Sequence, residues 1–244
     1  MDVRAQPEVV VVADAAALAQ TAARRLLDHV AEKDRAAVCL TGGSGPAGLY
    51  RLLSEEPWRG KVPWDRVHWF IGDDRFVPET DPLSNMGMAQ QLFLDRAGAP
   101  RENIHSIPTE ANYPEGAARL YEDALKAFYG ADRLDPARPL FDLVLMGLGG
   151  DGHTASLFPH SPALDEKDRW VLGIAKAGME PFVPRVTLTF PALASTHEML
   201  FLIESADKRA ILSRVLGGED LPARRAYSDE KLVWLVVRDA APEK

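Results

Sequence analysis

The chain has 244 residues, 46% of them hydrophobic, which is enough apolar material for one large α/β domain or two small ones. Its 36 acidic and 28 basic residues give a net charge of −8, which argues against a nucleic acid or an anionic membrane surface as general partner. The single cysteine, Cys39, excludes an intramolecular disulfide, and no run approaches the roughly 18 apolar residues of a membrane span. Without a signal-peptide pattern, these features predict a cytoplasmic globular protein.

Apolar strand patterns alternate with helix patterns along the whole chain. Strands are predicted at 9–12, 36–40, 67–71, 143–146, 170–175, 186–190, 199–203 and 233–237. Helices are predicted to open near Asp14, Pro46, Ser84 or Asn85, Pro114 and Ser205. This alternation predicts an α/β fold with a doubly wound, mostly parallel sheet and helices on both faces. No linker interrupts it, so residues 1–244 are expected to form a single domain.

The loop after the second predicted strand, Thr41-Gly42-Gly43-Ser44, has the composition of a phosphate cradle. Its glycines expose backbone N–H groups, and Ser44 adds a hydroxyl donor. The lysine of a P-loop and the glycine spacing of a dinucleotide site are absent, so the loop does not indicate a nucleotide. A serine-hydrolase elbow is also excluded, because Pro46 stands where its second glycine is required. A tight turn with purely structural glycines is the alternative.

The third predicted strand ends at the charged triplet Asp73-Asp74-Arg75. The planar guanidinium of Arg75 suits bidentate binding of a phosphate, with the carboxylates orienting it. An ordinary surface ion pair is the alternative, and the triplet alone favours it.

A glycine-rich loop follows the apolar strand at 143–146 and carries Asp151 and His153. Ligands of open α/β sheets bind outside the carboxyl ends of strands, so this is a place where chemistry is expected. An imidazole, whose reference pKa is near 6.5, can accept a proton from water near neutral pH, so His153 is a candidate general base and Asp151 is a candidate to orient it. A helix cap or a packed ring is the alternative. No second histidine or cysteine pair has metal-ligand spacing, so no metal is predicted.

Four segments in chain order carry a family resemblance: TGGSGPAGLY from Thr41, GDDRFVP from Gly72 with Ser84-Asn85, the segment from Phe141 to Leu164, and PRVTLTFPAL from Pro184. Together they resemble the 6-phosphogluconolactonases, and the resemblance covers about residues 9–237. It implies a fold shared with glucosamine-6-phosphate deaminases and ribose-5-phosphate isomerase. It also implies hydrolysis of 6-phospho-D-glucono-1,5-lactone in the oxidative pentose phosphate pathway, without metal or cofactor.

The resemblance implies substrate-binding roles for eight residues: Gly42, Gly43, Ser44, Asp73, Arg75, Gly150, Lys176 and Arg185. His153 is expected to take a proton from the attacking water, while Asp151 orients the water or the imidazole. The loop N–H groups of 149–152 are expected to stabilise the oxyanion. Two departures stand out: Asp74 replaces the usual glutamate, and the Lys-Pro-Pro stretch of many members is altered. Either Lys176 or Arg185 is therefore expected as the second phosphate ligand.

Phe158 helps to separate a lactonase from a deaminase. The related motif of the deaminases is D-G-H-x-A-F-N-E-P, which has a glutamate at this position. Deaminases also tend to have tyrosine where Arg75 stands. A lactonase is therefore expected, with a glucosamine-6-phosphate deaminase or isomerase, or a non-catalytic sugar-phosphate-binding protein, as alternatives. The partner is expected to be a small sugar-phosphate lactone, with no nucleic acid or membrane partner, and the protein a monomer or weak homodimer.

Overall fold

A computed structural model describes residues 7–228 and 230–242 of the chain. Within these residues the strands are β1 (Glu8–Val12), β2 (Ala36–Leu40), β3 (Val67–Ile71), β4 (Asp73–Arg75), β5 (Ile104–His105), β6 (Phe141–Met146), β7 (Val171–Ile174), β8 (Arg185–Leu188), β9 (Thr196–Ile203) and β10 (Leu232–Val237). The α-helices are α1 (Ala15–Val30), α2 (Ala47–Leu53), α3 (Asn85–Ala89), α4 (Asp95–Ala97), α5 (Pro114–Tyr129), α6 (Phe190–Ala194), α7 (Arg209–Leu216) and α8 (Pro222–Arg225). A π-helical turn, Gln90–Leu94, joins α3 to α4.

Seven strands form one parallel sheet in the order β1-β10-β9-β6-β2-β3-β5. The predicted mostly parallel α/β sheet is thereby confirmed, and β2 and β3 have the predicted bounds. Both β2 and β6 are buried along their entire length, as expected for central strands covered on two faces. The chain runs outward from β2 to β3 and β5 and then returns to β6 on the other side of β2. The crevice between β2 and β6 is therefore the topological switch point where ligands of such sheets bind.

A second sheet of three antiparallel strands, in the order β4-β8-β7, differs from expectation. The strands predicted at 170–175 and 186–190 form, but they belong to this small sheet and not to the parallel one. The predicted strand at 186–190 also ends early, since Phe190 begins α6. An apolar pattern predicts that a strand is buried but does not say which strand it pairs with. Pairing with β8 makes the polar triplet at 73–75 a strand.

Helix α1 shows how the layers are held together. Asp14 accepts a hydrogen bond from the Ala17 N–H at 2.8 Å, which caps the helix as predicted. The apolar residues that recur every four positions along α1 are all buried: Leu18, Ala22, Leu26 and Val30. No described helix combines the length and the apolar character that crossing a bilayer requires.

Two buried tyrosines hold the carboxyl ends of neighbouring strands. The Tyr50 hydroxyl accepts from the Thr41 N–H at 3.2 Å and donates to the Thr41 carbonyl at 2.8 Å. The Tyr121 hydroxyl makes the same pair of contacts to Ile71, at 3.0 and 3.1 Å. Each tyrosine satisfies backbone groups where a strand passes into a loop. The loops after β2 and β3 therefore leave the sheet from fixed points.

Candidate active site

A cleft lies at the carboxyl edge of the central strands. It consists of two adjoining cavities of about 140 Å³ and 280 Å³. Their walls share Gly42, Arg75, Gly149, His153 and Arg185. These residues follow β2, β3 and β6 or lie on the small sheet beside them. The strand order thus brings together three of the motifs that the sequence singled out.

The loop after β2 presents free backbone donors to the cleft. Among the described residues, the N–H groups of positions 42–45 donate no hydrogen bond to protein atoms. Gly43 has a φ of 85°, in the left-handed region that favours glycine. A Cβ at Gly42 would overlap the side-chain oxygen of Asn85. The loop thus has the open donors of an anion cradle, with one wall formed by an asparagine that sequence analysis did not assign to the site.

Two arginines face each other across the small sheet. Arg75 on β4 is the direct cross-strand partner of Arg185 on β8. Arg185 is 4% exposed, and the Arg75 Nε is buried without a hydrogen-bond partner. The guanidiniums donate to the Leu83 and Pro181 carbonyls, at 2.6 and 2.9 Å. Within the described part of the chain, neither forms an ion pair with a carboxylate.

Like charges placed directly opposite each other repel, so this pair destabilises the fold. The pKa of Arg185 is lowered first by burial and then by Arg75, although Asp73 and Asp74 act in the opposite direction. An anion between the two guanidiniums would relieve both penalties.

The two carboxylates of the triplet point to opposite faces of β4 and have different roles. Asp73 lines the cleft, and its Oδ2 accepts from the Ser156 hydroxyl at 2.6 Å. Asp74 is buried on the other face, where it accepts from the N–H groups of Asn85 and Met86 at 2.7 and 3.0 Å. It therefore caps α3 and fixes Asn85 against the cradle. Burial raises the pKa of Asp74 to about 6, against the lowering effect of these backbone donors.

His153 and Asp151 form a hydrogen-bonded dyad in the loop after β6. The two residues do touch, since the ring Nδ1 lies 2.6 Å from the Asp151 Oδ1, which also accepts from the His153 N–H at 3.0 Å. Partial burial opposes ionisation of Asp151, but these contacts outweigh it and lower its pKa. An ionised carboxylate accepts a hydrogen bond from Nδ1–H, which assigns the proton of the neutral ring to Nδ1. The Nε2 then keeps its lone pair.

The position of the imidazole is fixed by its surroundings. The ring packs against Phe158, with 4.8 Å between centroids, and a Cβ at Gly149 would overlap the Nδ1. The N–H groups of Gly149 and Gly152 donate to the loop's own carbonyls, to His153 and Gly149 respectively. They are therefore engaged in holding the loop. Among the loop glycines expected to stabilise an oxyanion, Gly150 is the one whose N–H has no such partner in the described chain.

The two residues predicted as alternatives for the second phosphate ligand lie in different places. Lys176 is exposed and lines neither cavity, whereas Arg185 lines both. Lys208, just before α7, lines the larger cavity beside Ser44. Lys208 was not predicted from the sequence, although it follows β9, which pairs with β6 and ends at the same edge. Of the remaining predicted residues, Asp151 lies behind the ring, outside both cavities.

No group of three or more His, Cys, Asp or Glu side chains is placed to hold a metal ion within 7–228 and 230–242. The donors that line the cleft are guanidinium, ammonium and backbone N–H groups, together with one imidazole and a few carboxylates. This set suits an anionic ligand.

Comparison with known proteins finds a family model, curated relatives and solved structures that are similar to most of the chain. Residues 12–234 match the family model described as glucosamine-6-phosphate isomerases/6-phosphogluconolactonase. A 6-phosphogluconolactonase from Synechocystis sp. is 38% identical over 220 residues, covering 88% of each chain. The crystal structure of 6-phosphogluconolactonase from Thermotoga maritima is similar with a TM-score of 0.82 at 32% identity, covering 96% of this chain and all of that one.

A monomeric glucosamine-6-phosphate deaminase has the same fold, with a TM-score of 0.81 at 20% identity over 96% of this chain and 98% of its own. The fold alone therefore does not separate the two activities. The family model and the relatives above 30% identity nevertheless each match most of the chain, and both indicate the same family. The chain belongs to the glucosamine-6-phosphate isomerase/6-phosphogluconolactonase family.

Proposed function

We propose that this protein hydrolyses 6-phospho-D-glucono-1,5-lactone to 6-phospho-D-gluconate. One observation carries the proposal: a single cleft is lined by two arginines that form no ion pair with a described carboxylate and by the imidazole of a His-Asp dyad. The first suits a phosphate dianion, and the second suits activation of water. The relatives named 6-phosphogluconolactonase support the same reaction.

The phosphate end of the substrate is assigned to the β2 loop and the cations around it. The free N–H groups of Gly42 and Gly43 and the Ser44 hydroxyl would donate to phosphate oxygens. Arg75 and Arg185 would supply the charge, with Lys208 approaching from the wall of the larger cavity. Binding energy from this non-reacting group would hold the lactone carbonyl in place for attack.

The reacting end is assigned to His153. Its Nε2 takes a proton from water, and the resulting hydroxide oxygen bonds to C1 of the lactone. The carbonyl electrons move to oxygen, where the Gly150 N–H is the available donor. The tetrahedral intermediate then collapses, the bond from C1 to the ring oxygen breaks, and that oxygen takes the proton back from Nε2. Asp151 holds the ring in the required tautomer and stabilises the imidazolium between the two transfers.

The wall of the cleft beside His153 favours lactone hydrolysis over ring opening of an amino sugar. Phe158 is 3% exposed and packs on the imidazole. It stands at the position where the deaminase motif has a glutamate. A phenylalanine cannot carry a proton. Hydrolysis needs no second acid here, because one imidazole serves first as base and then as acid.

The setting of the reaction is part of the same proposal: a cytoplasmic, single-domain monomer or weak homodimer. The thiol of Cys39 is buried, and burial raises its pKa well above the usual range, as suits an inert thiol in a reducing compartment. Among residues 7–228 and 230–242, the exposed large apolar side chains lie on three separate segments: Val9, Val11, Tyr113, Leu120 and Phe182. Such scattered residues support a small interface at most. Sedimentation velocity over a range of concentrations measures the oligomeric state directly.

A direct assay tests the activity. The lactone is generated in situ from glucose 6-phosphate by its dehydrogenase, and 6-phosphogluconate formation is followed with and without the protein. We expect a rate well above spontaneous hydrolysis. Parallel incubation with glucosamine 6-phosphate, monitored for ammonia, tests the deaminase, and tight binding of 6-phosphogluconate without turnover would instead indicate a non-catalytic binding protein.

A further inference from the structure

Ser156 lies at the meeting point of the three elements that carry the cleft. It is fully buried in the loop after His153, and its hydroxyl donates to the Asp73 Oδ2 on β4 at 2.6 Å. Its backbone N–H donates to the hydroxyl oxygen of Thr187 on β8 at 3.2 Å. No role was assigned to it from the sequence. Its own side chain lines neither cavity, so any effect on the substrate must pass through its partners.

The small sheet places Asp73 where it would naturally pair with an arginine. Asp73 and Arg75 are two residues apart on one strand, and their cross-strand partners are Thr187 and Arg185. Because side chains alternate along a strand, all four lie on the same face. A buried carboxylate beside one buried and one partly buried guanidinium is expected to form an ion pair with one of them. Yet neither arginine forms an ion pair with a described carboxylate, and the Asp73 Oδ2 instead accepts the hydrogen bond from Ser156.

The backbone around Ser156 is strained in a way that keeps this contact. Ala155 has a φ of 48°, a left-handed conformation that is unfavourable for a residue with a Cβ. The Thr154 hydroxyl on one side donates to the Gly147 carbonyl at 2.9 Å, and Ser156 is anchored on the other. The turn directs Ser156 away from the cleft surface toward β4. Strain of this kind persists only where the surroundings impose it.

We propose that Ser156 is a positioning residue that holds the Asp73 carboxylate away from Arg75 and Arg185, so that both guanidiniums stay available for the substrate phosphate. The inference rests on the proposed function, because it assumes that the arginines bind phosphate. Without the hydroxyl, the carboxylate turns toward an arginine and competes with the ligand. Ser156 thus keeps the Asp73 carboxylate close enough to offset the positive charge of the two arginines. It also prevents the carboxylate from forming an ion pair with either guanidinium.

The test measures binding of inorganic phosphate and of 6-phosphogluconate by calorimetry, alongside lactone turnover. We expect Ser156→Ala to weaken both affinities about tenfold and to raise KM with a smaller change in kcat, since a charge-assisted contact is lost to competition. The double variant Ser156→Ala/Asp73→Ala removes the competitor, so phosphate affinity should return at least to the wild-type value. A general loss of structure would not be reversed by a second truncation.

Ser228→Ala is the matched control. Ser228 is also a buried serine, whose hydroxyl donates to the Thr196 carbonyl at 3.0 Å far from the cleft. It should lower thermal stability without changing phosphate affinity. An unchanged phosphate affinity in Ser156→Ala, or a double variant as weak as the single one, would overturn the inference while leaving wild-type turnover intact. A wild-type protein that neither binds phosphate nor hydrolyses the lactone would overturn the proposed function itself.

Discussion

The two edges of the parallel sheet, formed by the amino ends and by the carboxyl ends of its strands, differ in whether their buried charges are paired. At the amino edge, Glu198 on β9 is paired with Arg25 at 2.8 Å and with His29 at 3.2 Å. At the carboxyl edge, Arg75 and Arg185 face each other, and no carboxylate in the described part of the chain forms an ion pair with either. A buried charge that has a partner of opposite charge stabilises the folded protein relative to one that lacks a partner. The contrast indicates which edge is built for stability and which for a ligand.

The largest expected effect concerns the two histidines that contact acids at opposite edges. His153→Gln removes the proposed base and should lower kcat by about 10²–10⁴-fold with little change in the melting temperature. His29→Gln removes a contact to Glu198 and should leave kcat unchanged while lowering stability. Steady-state kinetics and thermal melts of both variants give the comparison. Full turnover by His153→Gln, corrected for spontaneous hydrolysis, would remove this residue from the mechanism.

A second test changes the position of the imidazole without removing any functional group. A Cβ at Gly149 overlaps the ring, whereas a Cβ at Gly150 meets only the Met179 Cε, at 3.8 Å. Gly149→Ala should therefore lower kcat about 100-fold, because small displacements of a catalytic group are costly. Gly150→Ala keeps its backbone N–H and should retain most of the activity. Equal losses in the two variants would mean that the loop, and not the ring position, is being disturbed.

The arginines of the two edges should respond in opposite ways to the same substitution. Arg185→Met should raise KM roughly 10- to 100-fold, since charge-assisted hydrogen bonds contribute about 1.5–3 kcal/mol, and should leave stability unchanged or increased. Arg25→Met leaves Glu198 short of a partner and should cost about 2 kcal/mol of unfolding free energy without affecting KM. Kinetics and urea denaturation measure both quantities. Destabilisation of the Arg185 variant would contradict the comparison.

The smallest expected effect is on the pH dependence of stability, to which Asp74 and Glu198 contribute with opposite signs. The pKa of Asp74 is raised to about 6 by burial, so its stabilising contribution is full below about pH 4, its unfolded value, and is lost as pH rises through 6. For Glu198, burial opposes ionisation, but His29 and Arg25 lower its pKa. Its contribution is therefore present above about pH 4.3 and lost as pH falls.

Urea denaturation at several pH values, with Asp74→Asn and Glu198→Gln as non-titrating references, resolves these contributions. The stability advantage of the wild type over Asp74→Asn should shrink between pH 4 and 7. Its advantage over Glu198→Gln should grow over the lower part of that range. An advantage over Asp74→Asn that grows with pH would show that the backbone donors keep this carboxylate ionised in spite of burial.

Six of the seven strands of the central sheet were predicted from the sequence because they are apolar runs, whereas β5, with two residues, was missed. The bounds of β2 and β3 are correct for this reason. The small sheet was not predicted, since β4 is a polar triplet that becomes a strand only through pairing with β8. Lys208 was missed for a related reason: its place in the cleft depends on the order of strands. Asp74, read as part of a charged triplet, proved to be a helix cap.

The hydroxyl of Tyr50, which contacts both backbone groups of Thr41, has a consequence for how fast the site responds to its substrate. The start of the cradle is held by a side chain of the helix that follows it, with no ligand needed to order it. Binding should therefore require little conformational search, and its entropic cost should be small. The amide hydrogen of Thr41 should exchange slowly with solvent before and after ligand is added. A cradle that is already shaped leaves diffusion and charge attraction to set the rate of capture.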